Sequence, residues 1–196
     1  MAKLVIFNKP FQVLSQFTDD SGKQTLADYI EIKAVYPAGR LDYDSEGLML
    51  LTDDGRLQAQ ISDPKYKLSK TYWVQVEGTA CVAHCQALLE GVILKDGLAI
   101  AQSCQLMSKP PIWARVPPIR VRKAIPDSWI EVVINEGRNR QIRRMTAAVD
   151  LPTLRLVRAK VGNWALGELK PGDHRIETVA SPARNSDDRA NKSFRK

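Results

Sequence analysis

The stretch Gly39-Arg40-Leu41-Asp42-Tyr43-Asp44-Ser45-Glu46-Gly47-Leu48-Met49-Leu50-Leu51-Thr52-Asp53-Asp54-Gly55 runs from an acid-rich loop into an apolar strand and out through a turn. Pro37-Ala38-Gly39 breaks the chain ahead of it. Leu48–Thr52 is the strong strand candidate, Asp53-Asp54-Gly55 is turn chemistry, and Arg56–Ile61 predicts a helix ending before Pro64. Upstream, Leu4–Phe7 and Val13–Phe17 read as strands flanking a turn, and Thr25 opens a short helical stretch to Ile30. Downstream, Thr71–Val76 alternates, with Tyr72, Val74 and Val76 on one face. Thr79 reads as the N-cap of a helix to Leu89, ended by Gly91. Ala99–Met107 and Trp129–Ile134 are further strands, and Asn139 reads as the cap of a helix to Val149. Leu154–Val161 and Arg175–Val179 follow as strands, around a loop at Gly167–Gly172. Many strands with short helices in no regular alternation predict the α+β class, with a mixed, mostly antiparallel sheet.

A chain of 196 residues with 44% apolar content supports one packed core and excludes wholesale disorder. Residues 1–180 read as one domain. Residues 181–196, with Phe194 their only large apolar side chain, read as a flexible, net-basic tail. The net charge of +7 favours a polyanionic partner, nucleic acid before membrane. Apolar stretches such as Leu48–Leu51 are far too short to span a bilayer, and Leu4–Phe7 meets Asn8 and Lys9 too soon for a signal peptide. An odd set of three cysteines argues for a reducing cytoplasm. Positive charge is clustered. Lys109, Arg115, Arg120, Arg122 and Lys123 sit on a proline-stiffened loop without an acid. Arg138, Arg140, Arg143 and Arg144 form a second cluster, followed by Arg155, Arg158 and Lys160. On a helix Arg140, Arg143 and Arg144 share one face, which reads as a phosphate-tracking surface; the plain alternative is a solvated helix face.

Asp42, Asp44 and Glu46 with Gly47 invite a calcium-loop reading. The match is partial, since Glu46 and Asp53 stand where an Asp/Asn and a bidentate Glu belong. Cys81, His84 and Cys85 tempt toward zinc, but with Leu88 they follow the spacing of a buried helix face. No metal site is expected. No Ser-His-Asp arrangement and no phosphate-cradling glycine loop is present, so ATP, NAD and flavin are unsupported.

Read together, residues 39–55 closely resemble the catalytic motif of the pseudouridine synthases of the RsuA type. Asn8-Lys9-Pro10 with Val13-Leu14-Ser15 resembles that family's opening strand and turn, and Lys70-Thr71-Tyr72-Trp73-Val74 its Lys-x-Tyr-x-Val strand. Glu136-Gly137-Arg138-Asn139-Arg140-Gln141-Ile142-Arg143-Arg144-Met145 resembles its arginine-rich helix start, and Gly167–Gly172 its closing Leu-x-Pro-Gly loop. The resemblance covers residues 3–179. It implies the pseudouridine synthase fold, a sheet with a central catalytic cleft. Most relatives carry an S4-type RNA-binding module ahead of this domain; the chain starts at the domain's first strand, so no such module is expected.

The resemblance also implies a chemistry. The base–sugar bond of a uridine is broken, the ring turns, and it is rejoined through carbon, with no oxidation, no hydrolysis and no cofactor. Asp42 would be the carboxylate that acts at the sugar or ring, with Asp44 its competitor two residues on. Arg143, or secondly Arg140, would hold that carboxylate ionised. Tyr72 would pack on the uracil face and serve in proton removal. Arg40 would enter the RNA stack, Lys70 and Lys9 would bind phosphate, and Arg138, Arg140 and Arg144 would contact the substrate. The substrate would be ribosomal RNA, of the large subunit, presenting a single-stranded or flipped-out uridine to a monomer. The rival reading is a non-catalytic RNA-binding or ribosome-assembly protein on the same scaffold.

Overall fold

The computed structural model describes residues 1–119 and 125–183; Arg120, Arg122 and Lys123 of the basic loop, and the tail from 184, lie outside them. In chain order the elements are β1 (Ala2–Lys9), β2 (Tyr36–Pro37), β3 (Glu46–Thr52), α1 (Gly55–Ser62), β4 (Lys70–Glu77), α2 (Val82–Glu90), β5 (Val92–Leu94), β6 (Gly97–Ala99), β7 (Ser103–Met107), β8 (Asp127–Ile134), α3 (Gln141–Ala147), β9 (Thr153–Val161), β10 (Trp164–Ala165) and β11 (His174–Val179). The main sheet runs β11-β1-β3-β9-β4-β8-β7, with β2 and β10 added on β3 and β9. Every pairing in it is antiparallel except β3 with β9. The sheet is therefore two antiparallel halves joined by one short parallel seam, Glu46↔Val157 and Gly47↔Arg158.

That seam explains β3. It is buried along its whole length, packing Leu48 and Leu50 with Leu57 and Ile61 of α1 on one side, and Met49 and Leu51 with Phe7 and Leu26 on the other. Burial on both faces is why the strand reads as an unbroken apolar run. β4 alternates instead: Tyr72, Val74 and Val76 face a core closed by Cys85 and Leu88 of α2 and Met145 of α3. Gly47 sits at φ 100°, and a Cβ there would lie 2.5 Å from the Arg158 carbonyl oxygen. Only glycine admits this approach of the two half-sheets.

Several local expectations are corrected. Residues 13–17 form no strand; Leu14 N–H donates to Gln24 and Leu26 N–H to Gln16, binding the segment to a loop instead. The stretch after Thr25 is a single 3₁₀ turn, Leu26–Asp28, closed by a Thr25–Asp28 capping box. α2 is capped at Cys81, not Thr79, so Cys81 is exposed and only Cys85 and Leu88 of the expected stripe are buried. Ala99–Met107 divides into β6, hairpinned with β5, and β7, the outer edge of the sheet. α3 starts after Arg140, which takes a left-handed conformation (φ 47°) at the N-cap, and Asn139 does not cap it.

Candidate active site

Asp42 occupies a turn closed by Ser45 N–H donating to the Asp42 carbonyl (3.1 Å), just ahead of β3. The residues on either side of it are clamped. The Ser15 hydroxyl donates to the Leu41 carbonyl (2.7 Å) and accepts from its N–H (3.0 Å). Gln12 N–H donates to the Tyr43 carbonyl (2.9 Å). Residues 10–13 are themselves held by Lys9, whose ammonium donates to the Pro10 and Val13 carbonyls (2.9 and 2.8 Å). The loop thus hangs from the end of β1, and the Asp42 side chain, 31% exposed, is left facing a cleft of about 380 Å³.

The acid-rich motif sends its carboxylates three ways. Asp42 lines the cleft. Asp44 receives both terminal nitrogens of Arg140 (2.7 and 2.8 Å), a fork that holds its carboxyl below the usual carboxylate range, with Arg143 adding to the effect. Glu46 is buried and binds Arg155 through two bonds (2.8 and 2.9 Å) and the Trp113 indole N–H (2.8 Å). Acids that diverge onto arginines do not make the calcium loop their spacing suggests. Cys81 and His84 contact each other at 3.1 Å at the surface, while Cys85 is buried with Cys104, so these residues do not converge either. Among the described residues no cluster of His, Cys, Asp and Glu is arranged to hold a metal.

The second arginine cluster, which the sequence reads as a phosphate-tracking face, is instead paired with acids. Arg140 Nη1 lies 3.7 Å from Asp42 Oδ2 as well as on Asp44. Arg143, its side chain 13% exposed, donates to the Asp44 carbonyl oxygen (2.7 Å) and approaches its carboxylate (3.5 Å). Arg144 forks onto Asp96 (2.8 and 3.0 Å), and Arg138 bonds Glu136 and the carbonyls of Gly97 and Leu98. These are residues of the β5–β6 hairpin and the loop before α3, so Arg138 and Arg144 tie that hairpin to the cleft wall. Sheet order brings the acids in; sequence spacing does not reveal them.

The cleft is lined by Arg40, Asp42, Lys70, Tyr72, Arg138 and Arg140, together with Leu41, Ile134, Leu156 and Val161. Tyr72 is nearly buried among these apolar walls, and Arg40 is exposed. Lys9 is corrected: it has no exposed surface and is spent on two carbonyls, so it has no route to a phosphate. Burial pushes its pKa down to about 7. Sequence reasoning missed the Ser15 clamp, the Glu46–Arg155–Trp113 cluster and Arg158, which lines the cleft floor. Ser15 and Glu46 lie inside resembling segments, Arg155 and Arg158 stand in the sequence only as members of a basic run, and Trp113 stands only as part of the proline-rich loop.

The mixed sheet parted at its parallel seam thus brings a clamped aspartate, a tyrosine and paired arginines to one cleft. The family model of RNA pseudouridylate synthases matches residues 3–148, and the chain belongs to that family. It is 56% identical over 171 residues to the ribosomal large subunit pseudouridine synthase E of Vibrio vulnificus, covering 87% of this chain and 73% of that protein. It is 55% identical over 186 residues to the protein of the same name from Xanthomonas campestris, covering 92% of this chain and 100% of the relative. A solved pseudouridylate synthase structure superposes with a TM-score of 0.71 at 27% identity, over 91% of this chain and 71% of that one.

Proposed function

We propose that the protein isomerises a uridine of large-subunit ribosomal RNA to pseudouridine, with Asp42 as the catalytic carboxylate and no cofactor. One observation carries this reading: the chain on both sides of Asp42 is held by Ser15 and Gln12, and Asp42 is presented to a cleft that sets the apolar side chains Tyr72, Ile134 and Leu156 beside the cations Arg40, Lys70 and Arg140. A flat, uncharged base fits the apolar side of that space, and the cations beside it suit the RNA strand that carries the base. Asp42 acts at the sugar of the bound nucleotide, Arg140 lies within ion-pair reach of it, and Arg143 braces the loop through Asp44. Tyr72 stacks on the ring. Arg40 and Lys70 stand at the cleft for the RNA strand. A duplexed uridine cannot reach this depth, so the target is single-stranded or turned out of its helix. The enzyme works as a monomer in the cytoplasm, as a single domain through residue 180. The names of the relatives support the choice of RNA.

The test is to map pseudouridine in ribosomal RNA from cells with and without the protein, and to restore it with purified enzyme. One large-subunit position is expected to lose its modification and regain it with the wild type but not with Asp42→Asn. RNA affinity of Asp42→Asn is expected to stay within a few-fold. Restoration by Asp42→Asn would remove the assignment, and an unchanged map would remove the substrate.

A further inference from the structure

We propose that Arg158 is a catalytic residue that carries the negative charge of the uracil ring while it is detached from its sugar. This rests on the uridine isomerisation proposed above and names a group that reaction needs. When the C1′–N1 bond breaks, its electron pair stays on N1 and spreads to O2 and O4, whether Asp42 adds to C1′ or takes the 2′ proton. After the ring turns, C5 bonds to C1′ as the Asp42–C1′ bond breaks or, on the other route, as the 2′ proton returns from Asp42; the C5 proton then leaves and N1 takes up a proton. Nothing is oxidised or reduced. The intermediate is an anion held against the apolar side of the cleft, Tyr72, Leu156, Ile134 and Val161, in a site where Arg140 is paired with Asp44 and Arg138 with Glu136. An unpaired anion in such surroundings is costly, and a fixed cation aimed at it is worth most there.

Arg158 fits that role by position and by what its guanidinium leaves unused. It is cross-strand partner to Tyr72 and lines the same cleft, so it stands beside the ring that Tyr72 stacks on. Its Nε donates to the Leu48 carbonyl (2.7 Å), which fixes the group on β3. The outer nitrogens have no hydrogen-bond partner among the described residues, yet are not sealed-off buried atoms. No carboxylate of the described residues pairs with it; the nearby Glu46 is taken by Arg155. Lys70 feels this uncompensated charge, since burial and Arg158 both lower its pKa and no acid opposes them. Depth separates the two cations. Arg158 is 4% exposed, between buried Val157 and Ala159. A phosphodiester must leave its pocket at both ends and runs along a rim, where half-buried Lys70 stands; a turned-out base enters the floor.

The experiment compares an RNA fragment carrying the target uridine with one carrying 5-fluorouridine there. Fluorine makes the ring more acidic and a better leaving group, so the anion needs less help. It also blocks loss from C5, so the readout is consumption of the starting nucleoside, in single turnovers at saturating RNA. Arg158→Gln is expected to slow uridine consumption about 100-fold, and fluorouridine consumption roughly tenfold or less, with RNA affinity within about two-fold. Arg158→Lys, which keeps the charge, is expected to fall between. The ratio of the two rates within one preparation is independent of its folded fraction, so Arg158→Lys carries the test if Arg158→Gln does not fold. Equal losses on both substrates would overturn the proposal in favour of a structural role. A loss confined to RNA affinity would overturn it in favour of a phosphate contact. Asp42→Asn is expected to be inert on both; turnover by that variant would instead sink the underlying isomerisation reading.

Discussion

At the scale of single residues, Asp44 and Lys9 are the informative side chains beside Asp42. Asp44 is the anchor for both Arg140 and Arg143, so Asp44→Asn is expected to slow isomerisation about tenfold through misplaced arginines, in contrast with the complete loss in Asp42→Asn. Single-turnover rates of the two variants make the comparison. Lys9 gives a pH signature. Its pKa is about 7 when folded, against 10.5 for the ordinary side chain. Between those values the unfolded chain holds more protons, so Lys9 makes stability rise with pH across that window; below it both states are charged and the burial penalty is fully present. Lys9→Met is expected to abolish that rise and to leave the Pro10 and Val13 carbonyls without their donor, at about 1–3 kcal/mol each. Urea unfolding of wild type and variant from pH 6 to about 10 checks both effects.

At the scale of elements, the seam between β3 and β9 is the short parallel join, two residue pairs long, between the two half-sheets. Gly47→Ala places a methyl 2.5 Å from the Arg158 carbonyl at a φ of 100°. The expected cost is about 3 kcal/mol or more, read from the urea midpoint, with activity lost in proportion. Beside it, Glu46 holds Arg155 and Trp113, and so fixes the root of the basic loop to the strand that follows the Asp42 turn. Glu46→Gln leaves Arg155 buried without its counter-charge, and is expected to cost about 3–5 kcal/mol in the same assay. Arg115, stacked 4.2 Å over Phe11, places this loop against the turn that Lys9 holds.

At the scale of the whole molecule, net charge and RNA binding are not distributed alike. The chain carries +7, but Arg138, Arg140, Arg143, Arg144 and Arg155 are engaged by acids or carbonyls of other elements. Arg144→Gln is therefore expected to lower stability while leaving the slope of log affinity against log salt unchanged. Arg40→Gln and Lys70→Gln are each expected to flatten that slope by about 0.7–0.9. Titrations of an RNA fragment at several salt concentrations separate the two kinds of arginine. A slope reduced by Arg144→Gln would show that its fork to Asp96 opens on binding.

Much of the site was legible along the chain because its signals are local. Alternation in β4, the apolar run of β3 and the helix after the Asp53-Asp54-Gly55 turn depend on neighbours a few residues away and appear where the sequence places them, with Asp54 proving to be the cap of α1. The motif around Asp42 and the tyrosine of β4 were found through resemblance, and the structure puts both on one cleft. What a charged side chain does was not legible. Arg140 meets an acid 96 residues away and Arg155 one 109 residues away, through a strand order that sets β9 between β3 and β4. Lys9 looked like a surface lysine because local polarity marks loops, whereas the packing of the turn after β1 buries it. The residue types and strand pattern follow from short-range periodicity, which the sequence carries by itself. Which arginine braces which acid, and which cation is left free at the cleft floor, follow from long-range pairing, which only the folded sheet decides.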